Sequence, residues 1–433
     1  MPFNPLAERG IPLERQLRSW SELNVEPYRT DAVHPYTRCR VILMNGVEVE
    51  SAMFSHQFAR HTPDVKLKQD LARVRRVEQQ QQKAVNWLLP AQENVVEVTI
   101  GYEQVAVDLT AWLARNEPDP YLRQVYEFGL LEDFDHLYRY ANLMDLMGNR
   151  RKAEEITGNY TEIMPGRPTI FEHRDPRDDL RRPMTVQAAH RQSMLNALTL
   201  VSAEQQTMNY YMNFGNRPEE PLARALYLEI AQIEEQHVTH YESCLDPEMS
   251  WLTNWVLHEY HECWLYWSCM ETESDQRIRA LWELHLNMEL EHLRIAAQLL
   301  QEIEGQDAAE LFPDPIQKPM TFEENKAYLR DVVARQVELT GWDSEFVPVT
   351  SLPDGHRYFD YQATVNKGGA PSEQVINQRR DQQGQEYRFQ LEGAHPVPAL
   401  QENGPHDQFG YWRSVTAHGG SVKERRPEMA EHD

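Results

Sequence analysis

Residues 221–241 read PLARALYLEIAQIEEQHVTHY. Apolar residues recur every three or four positions, a pattern that predicts an amphipathic helix. Glu234 and His237 lie three residues apart on it and so share one face, about a turn apart. Their neighbours are apolar. The helix therefore carries an acid and an imidazole inward, where burial without partners costs several kcal/mol each.

The unit recurs. Placing Glu103 over Glu204 aligns Gln104 with Gln205, Pro120 with Pro221, Arg123 with Arg224, Tyr126 with Tyr227, His136 with His237 and Tyr140 with Tyr241 without a gap, and sets Asp133 on Glu234. A third copy lies 55 positions further on. There Arg279-Ala280-Leu281-Trp282 falls on Arg224-Ala225-Leu226-Tyr227, Glu289 on Glu234 and His292 on His237. Glu262 then takes the place of Glu204, with a loop three residues shorter. The chain is expected to hold three helical hairpins of the form Glu … (Asp/Glu)-x-x-His. Two such hairpins supply four carboxylates and two imidazoles to the inside of a bundle. That is a ligand set for a pair of metal ions, and its hard oxygens with imidazole suit iron or manganese. His258, His261 and His285 are additional candidate ligands. Arg123, Arg224 and Arg279 recur at one repeat position and are expected to pair with buried carboxylates. The aromatic residues around the ligand helices, among them Tyr126, Tyr140, Tyr210, Tyr211, Tyr227, Tyr241, Trp264, Trp267 and Trp282, are expected to pack the core. The sharper alternative is that some hydrogen-bond the ligands or carry electrons.

Over residues 94–305 the spacing and hairpin layout resemble the ferritin-like di-iron carboxylate superfamily. The 30-residue step from lone Glu to the acid-x-x-His motif is similar to that of multicomponent monooxygenase hydroxylases and aryl-coenzyme-A epoxidases. The resemblance implies that Glu103, Asp133 and His136 bind one metal and Glu204, Glu234 and His237 the other. Asp133 departs from the usual Glu. The long link at 149–183 can serve as the crossover such a bundle needs, whereas the short link Ser243–Ser250 implies antiparallel neighbours. Glu262, Glu289 and His292 of the third hairpin remain secondary candidates: a site across a homodimer axis, a pairing with hairpin two, or a relic.

The rest of the chain frames that bundle. Helices are expected near 94–115, 119–147, 184–214, 219–244, 249–271 and 275–304, with a shorter one at 321–340. Residues 1–93 form an N-terminal extension with a polar helix at 66–89. Within it, Asn45-Gly46 between apolar runs predicts a β-hairpin over Arg40–Glu50. Residues 306–345 hold the accessory helix, and 346–433 are expected to be an irregular arm. The fold class is therefore mainly α. A net charge of −25 disfavours nucleic acid and anionic lipid as partners. No run of apolar residues is long enough to span a membrane and no secretory signal is evident. Four cysteines without regular spacing suit a reduced, cytoplasmic protein. The expected function is a non-haem di-metal, most readily di-iron, oxidase or oxygenase acting on a small molecule with O2, as a homodimer and with a separate reductase. A ferroxidase or peroxide-removing protein and a non-catalytic scaffold are the alternatives.

Overall fold

The computed structural model describes residues 2–384, 388, 393–398 and 400. Eight long helices among them make four consecutive hairpins. These are α1 (Pro35–His61) with α2 (Val65–Trp87), α3 (Val95–Asn116) with α4 (Pro120–Leu146), α5 (Arg191–Phe214) with α6 (Pro221–Glu242), and α7 (Trp251–Thr272) with α8 (Gln276–Glu304). The second helix of each hairpin opens on an acid at the same repeat position. Asp64, Asp119, Glu220 and Asp275 each accept a hydrogen bond from first-turn N–H groups, satisfying donors that a helix start leaves orphaned. The first helix of each hairpin lies inside the bundle. α1 packs on α3, α5 and α7, and α5 also packs on α3 and α7, while α4 touches α6.

The β-hairpin expected at Arg40–Glu50 is absent; those residues are the middle of α1. Gly46 serves a close approach of helices rather than a turn. A Cβ there would stand 2.8 Å from the Ser202 carbonyl and 2.7 Å from Gln206 Nε2, both on α5. Asn45 spends its amide across the same contact, donating to Gln206 Oε1 at 2.6 Å. The signal for a turn was therefore a signal for tight packing of helix on helix.

Two other boundaries differ. The helix expected from 184 starts at Arg191, capped by His190, because residues 184–186 are tied to the end of the α5–α6 hairpin: Met184 N donates to the Cys244 carbonyl and Val186 N to Asp246. The accessory helix, α9, is Lys326–Gln336. It is followed by an antiparallel pair, β1 (Leu339–Trp342) and β2 (Glu345–Pro348), with Thr340 opposite Val347. The arm after 345, expected to be irregular, continues into α10 (Arg357–Val365) and α11 (Pro371–Gln383). α11 packs on α4 and α6. Its start is pinned by Ser372, whose N–H and hydroxyl donate to Glu229 at 2.7 and 3.0 Å. Residues 401–433 of the expected arm lie outside the described residues. No helix among the described residues is long and apolar enough to cross a membrane.

Candidate metal centre

The helices α3, α4, α5 and α6 bring Glu103, Asp133, His136, Glu204, Glu234 and His237 together in the core, each at most 1% exposed. Their donor atoms form two groups, within each of which the atoms lie within 4.8 Å of one another. One group is Glu103, His136 and Glu234; the other is Asp133, Glu204, Glu234 and His237. Glu234 belongs to both. The division expected from the resemblance is thus altered at Asp133, which groups with His237 across the hairpins. Its Oδ1 is 3.2 Å from His237 Nδ1.

The orientation of the imidazoles is decisive. His136 Nε2–H donates to Glu172 at 2.9 Å, and His237 Nε2–H donates to Glu132 at 2.9 Å. Each ring therefore turns Nδ1 toward carboxylates. His136 Nδ1 lies 3.2 Å from Glu234, and His237 Nδ1 lies 3.2 to 3.8 Å from Asp133, Glu234 and Glu204. A neutral imidazole that donates through Nε2 has only a lone pair at Nδ1. A lone pair facing carboxylate oxygens needs a cation between them, a proton or a metal ion. Protons on the two rings would still leave a large deficit. Both oxygens of Asp133, Glu204 and Glu234 and one of Glu103 are buried without a hydrogen-bond partner.

Two of the partners come from places that spacing did not indicate. Glu132 precedes Asp133 on α4 and is held by Arg174 through contacts of 2.5 and 3.1 Å, with Arg167 at 3.5 Å. Arg167, Glu172 and Arg174 all belong to the crossover between α4 and α5. That segment closes the site as well as linking its halves. Tyr211 donates to Glu103. So for Tyr211 the alternative of a hydrogen bond to a candidate ligand holds, whereas Tyr126, Tyr140 and Tyr241 lie buried in the cores.

The electrostatics follow from six buried carboxylates facing two guanidinium groups. Burial and the neighbouring acids push Glu103 and Glu204 well above the ordinary carboxylate range. Burial would raise Glu234 as well, but His136 and His237, whose Nδ1 atoms face it, outweigh that and hold the group at about 2. Acids raised in this way keep protons that a divalent cation would displace, so the donor set suits a metal ion.

The repeated arginines do not take the expected partners. Arg123 donates to the Glu117 carbonyl at 2.7 Å, Arg224 to the Asn216 carbonyl, and Arg279 to the Met270 carbonyl at 3.0 Å. Each clamps the turn of its own hairpin at the surface. Among the additional histidines, His258 binds Glu50 at 2.9 Å and His261 contacts Thr199 at 2.8 Å, each outside the groups above.

Glu262, Glu289 and His292 lie in a different place. They join residues of α1 and α2 that the reading of three hairpins left out: Glu48, Glu262 and Glu289 form one group, and Glu78, Glu259 and His292 another. The signal was present. Glu78 follows Glu48 by the same 30 positions that separate Glu103 from Asp133, and Gln81 stands where His136 does. Glu289 follows Glu259, not Glu262, by 30 positions, so the third copy needs no shortened loop. The fourth hairpin was obscured by the turn reading of Asn45-Gly46 and by the loss of the histidine.

The chain matches no family model, no curated protein and no solved structure at a significant level.

Proposed function

We propose that the α3–α6 centre binds a pair of iron ions, with manganese as the alternative, in the manner of ferritin-like carboxylate proteins. We further propose that the protein is an O2-dependent non-haem oxidase or oxygenase. One observation carries the reading: two imidazoles, each locked by a carboxylate at Nε2, turn Nδ1 into a nest of unpartnered carboxylate oxygens. Bound iron would supply O2 binding and one-electron chemistry. The protein's own contribution is geometric. Glu172 and Glu132 set the ring tautomers, Arg174 and Arg167 hold Glu132, and Tyr211 orients Glu103. The crossover keeps water from the ligands, which strengthens every charge interaction inside. Electrons would come from a separate reductase.

Enclosure of the site favours a second reading, a ferroxidase or peroxide-removing protein, because Fe(II), O2 and peroxide are small enough for a covered centre. Anaerobic Fe(II) loading followed by O2 separates the two. A ferroxidase consumes O2 with Fe(II) alone and releases ferric product, whereas an oxygenase keeps its iron and turns over only with reductant and an organic substrate. The His136→Ala/His237→Ala variant is expected to lose the iron and either activity. Full iron retention by that variant, or no iron in the unaltered protein, would reject the reading and leave a helical scaffold.

A further inference from the structure

We infer that the α1–α2 and α7–α8 hairpins hold a second, separate metal centre for hard divalent cations such as Mn(II) or Fe(II). The inventory of buried acids points to one. Glu48, Glu78, Glu259, Glu262 and Glu289 converge from four helices, each at most 1% exposed. Among the described residues no Arg or Lys forms an ion pair with any of them. Hydrogen bonds cover only part of their surface. Tyr266 donates to Glu48, Trp255 donates to Glu259 at 2.5 Å, and Gln81 donates to Glu289. Both oxygens of Glu262, and one each of Glu48, Glu78 and Glu259, are buried without a partner and face the cluster.

The tautomer argument applies here independently. Gln16, fully buried on the N-terminal segment, donates its amide to the carbonyls of Ile11 at 2.7 Å and Met288 at 3.2 Å. Its oxygen is left to accept from His292 Nε2 at 2.7 Å. His292 Nδ1 then faces Glu289, 2.9 Å away, a contact that needs a proton or a metal ion between the two atoms.

The repeat supplies the correspondence. Glu48, Glu78, Glu259, Glu289 and His292 stand where Glu103, Asp133, Glu204, Glu234 and His237 stand in the first centre, and Tyr266 donates to Glu48 as Tyr211 does to Glu103. The difference lies at Gln81, which cannot ligate as His136 can. Glu262, with no counterpart acid in the first centre, brings a carboxylate to that group instead. A donor set of five carboxylates and one imidazole is harder than the first, which favours Mn(II) or Fe(II) over copper or zinc. A cavity of about 260 Å³ borders Gln81 and Gln16, which bond Glu289 and His292, and so lies one side chain away from the cluster.

The test is a metal count by mass spectrometry on full-length protein loaded anaerobically with Mn(II) and desalted. About four ions per chain are expected, as two carboxylate-bridged pairs. Glu259→Gln/Glu289→Gln should remove two and leave two, His136→Ala/His237→Ala should remove the other two, and the combined variant should hold none. Gln keeps the shape of Glu and relieves repulsion. The metal-free Gln variant should therefore melt higher than the metal-free parent, yet lose part of the rise that Mn(II) produces. Should that pair fail to fold, His292→Gln is read in the same way. A Gln variant that keeps every ion overturns the second centre. Two ions lost only in the His136/His237 variant leave the first centre standing and reject the second; two lost only in the Gln variant do the reverse. No bound ions in the parent reject both.

Discussion

At the scale of single residues, the chemistry depends on what holds each imidazole. Glu132 accepts from His237 and is gripped by Arg174. Glu132→Gln keeps the packing but can present an N–H where an acceptor is needed. Partners of this kind typically change metal affinity by about 10–100-fold when altered, and that loss is expected here with helix content unchanged, read by metal titration and circular dichroism. Asp108, elsewhere on α3, makes a separate case. It accepts from Thr161 at 2.6 Å, and burial, only partly offset by hydrogen bonds, pushes its carboxyl up to about 7. A folded-state value above the unfolded one means that the native chain holds a proton the unfolded chain has released. Stability therefore falls as pH rises from about 4 to about 7. Asp108→Asn removes that step. Urea midpoints measured at pH 5 and pH 8 should fall less between the two for the variant, and at pH 8 the variant should be the more stable. Glu132 could be seen in the sequence as an acid beside Asp133, but nothing local marks its role, since Arg174 reaches it from 42 residues away.

Elements show why the helical plan was legible and one hairpin was not. Apolar spacing and the capping acids are local, so the boundaries of α3, α4, α6, α7 and α8 follow from sequence to within a few residues. Gly46 needs the neighbour. Gly46→Ala gains helix propensity of ~1 kcal/mol, but its methyl would meet the Ser202 carbonyl at 2.8 Å, on a rigid backbone. Overpacking of this kind costs about 1–3 kcal/mol, so a net loss of stability is expected in urea unfolding, where a β-turn glycine would show none of this sensitivity. The arginine clamps give the opposite outcome. Arg123, Arg224 and Arg279 bond turn carbonyls at the surface, so Arg224→Ala should cost less than about 1 kcal/mol and leave metal content unchanged. A lost ion in that variant would restore these residues to a role at the ligands.

On the scale of the whole molecule, the hairpins nest. The chain begins one set of four helices with α1 and α2, builds another with α3 to α6, and returns to complete the first with α7 and α8. The C-terminal arm braces the inner set. Arg139 joins Asp135 on α4 to Glu373 on α11, and Arg357 of α10 pairs with Asp178 of the crossover at 2.5 Å. Truncation after Pro348 removes α10 and α11 and leaves Glu229 and Arg139 without these partners. The truncated protein is expected to keep the helical content of its hairpins, to melt at lower temperature, and to give up metal to a chelator faster from the α3–α6 centre than from the other. Loss of helix throughout would show the arm to be required for folding rather than for closure.

The sequence alone determined three of the four helical hairpins and their acid-x-x-His motifs, because periodicity, helix starts and the i,i+3 spacing are properties of neighbouring residues. The pairing of the hairpins was a tertiary decision. Whether Glu289 and His292 meet Glu204 or Glu78 depends on which helices pack, and packing turns on contacts such as Gly46 against α5 that join distant segments. The placement of Glu172, Arg174 and Gln16 was tertiary for the same reason: each reaches a buried acid or imidazole from a loop or a short terminal turn, where no period marks its direction.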